Sequence, residues 1–405
     1  MNERFSRQVF PKEKVSDISK PPFAIYVAWH PKFAEGAKVA ESMYNQFRRP
    51  LFDNVSGGTG ISVIYRSASV DGHTAPLPIE MKDGETTAIV VLADKNLCND
   101  SGWTNYVRNL VDQAEEMGFG TRVFPVSMQD TTLDDLRLTE QALRWDCWAG
   151  CLERKLRKLN GKLTLEFCRM LRQIVEPPDS PNDGLSQYLK KVRVFLSHSK
   201  HDRFGKRMAF AIRDRIHEQH ALSSFLDVHD IPAGLRFDKV LNHRVKSSAM
   251  IAIHSDSFSS REWCRREIIL AKTYNVPLVV ADCISGSDDR SFPYMGNVPI
   301  VRLETDDSDR MDFLVRRLLD EVLKNLLWRL RVQALGNQAA EGVTFTPRPP
   351  ELFSLVNLST AMGCSSDPVM VYPDPPLGNE EKDVFASVAP RVKLHCLSHW
   401  LAEVS

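Results

Sequence analysis

Short apolar runs alternate along this chain with segments whose apolar residues recur every three or four positions. FAIYVAW at 23–29 reads as a buried strand, and FAEGAKVAESMYNQFRR at 33–49 as an amphipathic helix. A Gly-rich turn, SGGTG at 56–60, leads into the strand-like ISVIYRS. TTAIVVLAD at 86–94 predicts another buried strand, ending at Asp94. NDSGWTNYVRNLVDQAEEMGF then predicts a helix, and TRVFPVSM at 121–128 a further strand. The spacing over 132–175 predicts mostly helix.

EPPDSPNDG at 176–184 is rich in Pro, Asp and Gly, which favour turns, and reads as a linker. A second series follows it. VRVFLSHS at 192–199 is its first strand, with a helix over 203–219. SSFLDVHDIPAG at 223–234 gives a short strand and a loop, followed by a helix over 236–247. SAMIAIHSD at 248–256 and VPLVVADC at 276–283 are the next strands, and NVPIVRL at 297–303 is a weaker one. A helix over 309–335 closes the series. Beyond it lie a Pro-rich stretch, a strand, a Pro/Gly turn and a short strand-helix end. So small a segment has difficulty building its own core and is expected to pack on a larger unit.

Repeated strand-helix order calls for parallel sheets covered on both faces. The expectation is two flavodoxin-like α/β units in three layers, plus a small C-terminal α/β segment. The boundaries read as an extension at 1–20, a first unit at 21–175, a linker at 176–190, a second unit at 191–335 and the segment 336–405. AIVVLADKNLCNDSGWTNYVRNL lines up with MIAIHSDSFSSREWCRREIIL, so that Trp103 matches Trp263. An internal duplication fits this correspondence. Four beyond Trp103 stands Val107, where the second series has Glu267.

Ligands of such sheets sit at the carboxyl ends of the strands. In the second series these ends are Ser197–His198, Asp227 and His254–Ser255. WCRRE, from Trp263 to Glu267, opens the helix after the last of them. Positions four apart share a helix face, so the indole and the carboxylate can line one pocket. Ser259 followed by Glu262 has capping-box spacing, and Phe258 with Trp263 occupies staple positions. Arg265 and Arg266 are adjacent and point in different directions, so both cannot face one site.

Composition narrows the choices. Lys plus Arg and Asp plus Glu each number 52, which argues against general attraction to nucleic acid or a membrane surface. The longest apolar runs fall well short of the roughly 20 residues a span needs. The first twenty residues lack the apolar core of a secretory signal. A cytoplasmic location is expected. The eight Cys residues are scattered and suggest no disulfide framework. Cys147 with Cys151, and His395, Cys396 and His399, each lack the four ligands of a structural zinc site, and no metal is expected. SGGTG lacks the spacing of a Walker A loop or a dinucleotide fingerprint.

Three ordered stretches carry a family resemblance. VFLSHSKHD resembles the first box of Toll/interleukin-1 receptor (TIR) domains, FLDVHDIPAG their second strand and BB loop, and SSREWCRREI the third helix of the catalytic members. The match spans about 192–330, and the first unit resembles a divergent, degenerate copy. Many TIR domains of bacteria and plants cleave NAD+, releasing nicotinamide to leave ADP-ribose, cyclic ADP-ribose or an isomer. The resemblance implies Glu267 as the catalytic carboxylate. It implies Phe195, Ser197, His198, Lys200, Asp227, Phe237 and Trp263 as substrate-binding residues, with the BB loop at His229 to Phe237. Some members have Tyr or Arg where this chain has His198 and Lys200, which leaves the nicotinamide and phosphate contacts open. NAD+ is then a substrate and no catalytic cofactor is needed. The resemblance further implies self-association through TIR–TIR contacts, a role in bacterial defence against phage, and a separate sensor protein as partner. The alternative is a non-enzymatic adaptor or scaffold working through the same contacts.

Overall fold

Strand pairing is parallel throughout the computed structural model, which describes residues 20–48, 60–67, 76–130, 136, 141–177, 184–218, 222–226, 249–287, 292–304, 307–336, 342–356, 358 and 367–404. The extension at 1–19, SGGTG up to Thr59, Asp227, the BB loop and the helix expected over 236–247 lie outside the described residues. The chain divides into two units, Met1–Leu189 with Arg329–Asn337, and Lys190–Trp328 with Gln338–Ser405.

In the first unit β1 (Ala24–Trp29), β2 (Ser62–Arg66), β3 (Thr87–Ala93), β4 (Thr121–Ser127) and β5 (Leu143–Arg144) form one sheet in the order β2-β1-β3-β4-β5. The strands β1 and β3 are buried along their whole length, which is why they read as unbroken apolar runs rather than alternating ones. Helices α1 (Gly36–Phe47), α2 (Lys95–Asn99), α3 (Ser101–Glu116), α4 (Leu152–Val175) and α5 (Gly184–Leu189) complete the unit. Asp94 and Asp100 cap α2 and α3, each accepting two backbone N–H groups. Of the stretch 132–175 expected to be mostly helix, 132–135 and 137–140 lie outside the described residues, Leu136 is helical, 141–151 are not helical, and α4 starts at Leu152. Before it, Leu143–Arg144 adds to the sheet edge beside Val126–Ser127, and Gly150 takes a φ of +112° that favours glycine. Helix α5 falls in the stretch that reads as a linker.

The second unit repeats the plan. Its strands β6 (Val192–His198), β7 (Leu222–Leu226), β8 (Ala249–His254), β9 (Leu278–Asp282) and β10 (Ile300–Arg302) pair in the order β10-β9-β8-β6-β7. Counted within each unit, both sheets run 2-1-3-4-5, the flavodoxin-like order, whose topological switch point lies between the first and third strands. Helices α6 (Arg203–Glu218), α7 (Glu262–Thr273) and α8 (Ser308–Leu335) follow β6, β8 and β10. Gly205, in the first turn of α6, lets that helix approach the end of β8, because a Cβ there would stand 2.8 Å from the Ser255 hydroxyl.

A third, smaller parallel sheet, β11-β12-β13 (Val343–Phe345, Val369–Tyr372, Lys393–Cys396), carries α9 (Leu352–Val356), α10 (Asn379–Val388) and α11 (Leu397–Val404). This segment is built onto the second unit. Glu351 reaches Lys272 of α7 at 2.7 Å, and Arg348 donates to the Val276 carbonyl at 2.6 Å. Among the described residues no helix is long and apolar enough to cross a membrane.

Candidate functional site

Helix α7 decides where the carboxylate goes. Its buried stripe is Cys264, Glu267, Ile268, Ala271 and Lys272, the spacing of one helix face. Glu262 in the first turn and Lys272 in the last suit the helix dipole. The helix ends in a Schellman motif: Asn275 has φ +52°, its N–H reaches the Lys272 carbonyl, and Val276 N–H reaches that of Ala271. Ala271 and Val276 also share the apolar cluster beneath.

The capping box expected at Ser259 is corrected. Helix α7 begins at Glu262 behind Arg261, which makes no side-chain cap. The Ser259 hydroxyl instead lies 3.1 Å from His254 Nε2, and its carbonyl accepts from Arg265 at 2.9 Å. The staple fails as well, since Phe258 is fully buried while Trp263 is 45 % exposed. The guanidinium of Arg266 lies over the Trp263 ring, 4.5 Å from its centroid. The two arginines therefore diverge, as their adjacency requires.

Glu267 is only 2 % exposed, although it stands in a stripe otherwise filled mainly by apolar groups. Its Oε2 accepts a hydrogen bond from the Ser197 hydroxyl, which comes from the end of β6. Ser197 pairs with Ala252 of β8 in register, so this contact spans the switch point of the sheet. Serines and histidines crowd the same rim. Ser257 donates to Ser199 at 2.7 Å, and Ser255, fully buried, has no hydrogen-bond partner for its hydroxyl among the described residues. His198 and His254 end their strands nearly buried, and Lys200 is exposed just beyond.

Two neighbouring groups have settled protonation states. Asp256 accepts from Ser285 N, Ser285 Oγ and Gly286 N at 2.8–3.0 Å, and the Ser285 backbone bond leads in holding its carboxyl below the usual range. Burial, then the charges of Asp282 and Asp202, push the Cys283 thiol up to about 12. Cys283 is thus a thiol near neutral pH, not a nucleophile. Among the described residues no cluster of His, Cys, Asp and Glu could hold a metal ion.

Of the residues singled out in the sequence, Ser197, His198, Lys200, Trp263 and Glu267 belong to β6, the turn after it, and α7. Phe195 is 1 % exposed and packs among Met250, Phe258, Cys264 and Ile268 as a core ring. Asp227 and Phe237 lie outside the described residues. Ser255 stands at a strand end that the sequence points to, and Ser259 has only a capping signal there. Ser257 has no signal in the sequence, because its partner Ser199 is 58 positions away.

The switch point of the first unit is furnished differently. Trp103 and Val107 are fully buried in an apolar cluster with Ala93 and Leu97. His30 directly follows β1, with its Nε2 3.6 Å from Asp100, while its Nδ1 accepts from Lys32 N at 3.1 Å. No carboxylate occupies the position of Glu267.

A parallel α/β unit with a buried carboxylate at its switch point is the class that fold and site define. Residues 194–318 match the TIR domain (TIR_2) family model, and this part of the chain is a TIR domain. The first unit shares the strand order, but the family match does not extend to it. No curated protein matches the chain. Among solved structures, a putative sugar-binding protein from Salmonella typhimurium LT2 is similar over 58 % of this chain and 87 % of its own, at 9 % identity and a TM-score of 0.22. The C-terminal domain of glucosamine-fructose-6-phosphate aminotransferase from Francisella tularensis covers 79 % and 88 %, at 9 % identity and a TM-score of 0.19.

Proposed function

We propose that the TIR domain cleaves NAD+ at the nicotinamide–ribose bond, with Glu267 as the catalytic carboxylate. The observation that carries this reading is Glu267 itself, a carboxylate kept in a core stripe at the switch point of the sheet. A buried charge costs stability unless it is hydrogen-bonded, and natural proteins break packing rules chiefly at functional sites.

The chemistry needs little more. The bond from ribose C1′ to the pyridinium nitrogen breaks, and its electron pair goes to that nitrogen, so nicotinamide leaves neutral. Positive charge develops on the sugar, and an adjacent carboxylate stabilises it, as in glycoside hydrolysis. Fixed charge acts more strongly in a dry site than in water. Water attacking C1′ then yields ADP-ribose and a proton; attack by a group of the same molecule yields a cyclic product. No acid is needed for the leaving group, so one carboxylate suffices. Exposed Trp263 offers a ring face at the rim, and His198 and Lys200 stand at the carboxyl end of β6 for the rest of the dinucleotide. Asp227 and Phe237 complete the proposed substrate contacts. The partners in this reading are NAD+ and further copies of the chain, joined through TIR–TIR contacts, with a sensor protein as trigger in an antiphage response. The first unit is then a diverged, non-catalytic copy.

The test is nicotinamide release by wild type and E267Q over a range of protein concentrations. Gln keeps the size and an acceptor for Ser197 but removes the charge. E267Q is expected to be at least about tenfold slower, since loss of a focused electrostatic contact costs roughly a hundredfold in favourable cases. Rates equal within about twofold would move the adaptor reading ahead.

A further inference from the structure

Ser197 carries an inference that rests on the NAD+-cleavage reading and deepens it. We propose that Ser197 is a positioning residue that holds the Glu267 carboxylate, and that it does not bind NAD+.

Ser197 is fully buried, and its one hydroxyl hydrogen is already given to Glu267 rather than left for a substrate. Its strand is interior to the sheet: Ser197 pairs with Ala252 of β8, and the residue before it, Leu196, pairs with Leu226 of β7. Its backbone is held by this pairing, and its side chain has a single rotor before the hydroxyl. The hydroxyl is committed to Glu267 Oε2. A Glu side chain has three rotors, and freezing them at the moment of reaction would cost entropy. A short, stiff donor aimed from a central strand removes that freedom beforehand. It also compensates part of the burial of a carboxylate that is only 2 % exposed. Binding contacts to NAD+ then fall to exposed groups around the rim, Trp263 and Lys200 among them.

A positioning role and a binding role separate in kinetics. An interaction made only in the transition state moves kcat, while uniform binding moves KM. For S197A we expect kcat to fall about tenfold, the scale of a small misplacement of a reacting group, with KM for NAD+ within about twofold of wild type. S197C keeps the volume but is a weak donor, and is expected to behave like S197A. S197T keeps the hydroxyl and is expected to regain part of the rate. The S197A/E267Q double variant should be no slower than E267Q alone, because both changes remove one device. Thermal unfolding of wild type, S197A, E267Q and the double variant gives a second readout, and the two single effects on stability should be non-additive.

The measurements are made on the full chain. An active wild type whose S197A and S197C variants show a raised KM at unchanged kcat overturns this proposal alone. So do additive effects of S197A and E267Q on both rate and stability. A wild type that releases no nicotinamide at any protein concentration overturns the cleavage reading, and this proposal with it.

Discussion

Val107 and Glu267 sit on the helices that follow the third strand in two sheets of one strand order, and each meets its surroundings differently. Val107 is fully buried among Ala93, Leu97, Trp103 and Leu110. A carboxylate there would have no donor like Ser197. We expect V107E to cost about 3 kcal/mol or more, the scale of an uncompensated buried charge. V107A controls for the lost methyl groups, which alone cost about 1–2 kcal/mol. Thermal melts of the two variants check this; V107E melting at or above V107A would show that the first unit tolerates a charge at its switch point. The residue pattern made Glu267 visible in the sequence, because its helix neighbours Cys264, Ile268 and Ala271 are apolar. Its partner was not visible as a partner. Ser197 lies 70 positions away, and only the folded sheet brings the two together.

Elements whose character is fixed by burial on both faces were legible, and those fixed by distant contacts were not. The strands β1, β3, β6, β8 and β9 read directly from apolar runs. Their alternation with helices gave the parallel sheets. The start of α7 misled because Ser259 and Glu262 have the spacing of a capping box, while His254 takes the Ser259 hydroxyl in the fold. Strand β5 was hidden because two residues carry no period. Helix α8 holds a related surprise in Asp320, which is 9 % exposed. Burial pushes its carboxyl up to about 6 against the opposing charges of Arg317 and Lys324. The native state therefore binds more protons than the unfolded state between about pH 4 and 6, and stability falls as pH rises through that window. Above it, ionised Asp320 costs up to about 3 kcal/mol. D320N removes the titrating group. It is expected to melt higher than wild type at pH 7, with the difference shrinking as pH falls toward 4. Melting curves across that range check it, and a difference constant with pH would assign the effect to something other than ionisation.

At the scale of the whole chain, the C-terminal segment is part of the unit that carries Glu267, and a buried ion pair is one of its ties. Lys272 lies on α7 five residues beyond Glu267, with its side chain 3 % exposed. Burial pushes its pKa down, against the opposing pull of Glu351. The ammonium donates to both Glu351 oxygens, at 2.7 and 2.9 Å, and to the Gly296 carbonyl at 2.5 Å. The two partners are not equivalent. Glu351 keeps 18 % of its side chain exposed and can turn to water if left alone, whereas Lys272 cannot. Removing one member of a buried pair costs most when the charge left behind stays buried. E351A is therefore expected to destabilise the protein by about 3 kcal/mol, and K272M, which fills the same space without charge, by clearly less. In the K272M/E351A double variant no ammonium is stranded, so it should be more stable than E351A alone despite carrying a second substitution. Urea or thermal unfolding of the four proteins tests the order. If E351A unfolds like wild type, the pair does not hold the segment, and the weight falls on its other ties, such as Arg348 at the Val276 carbonyl and the Tyr294–Phe353 and Trp328–Phe345 ring contacts.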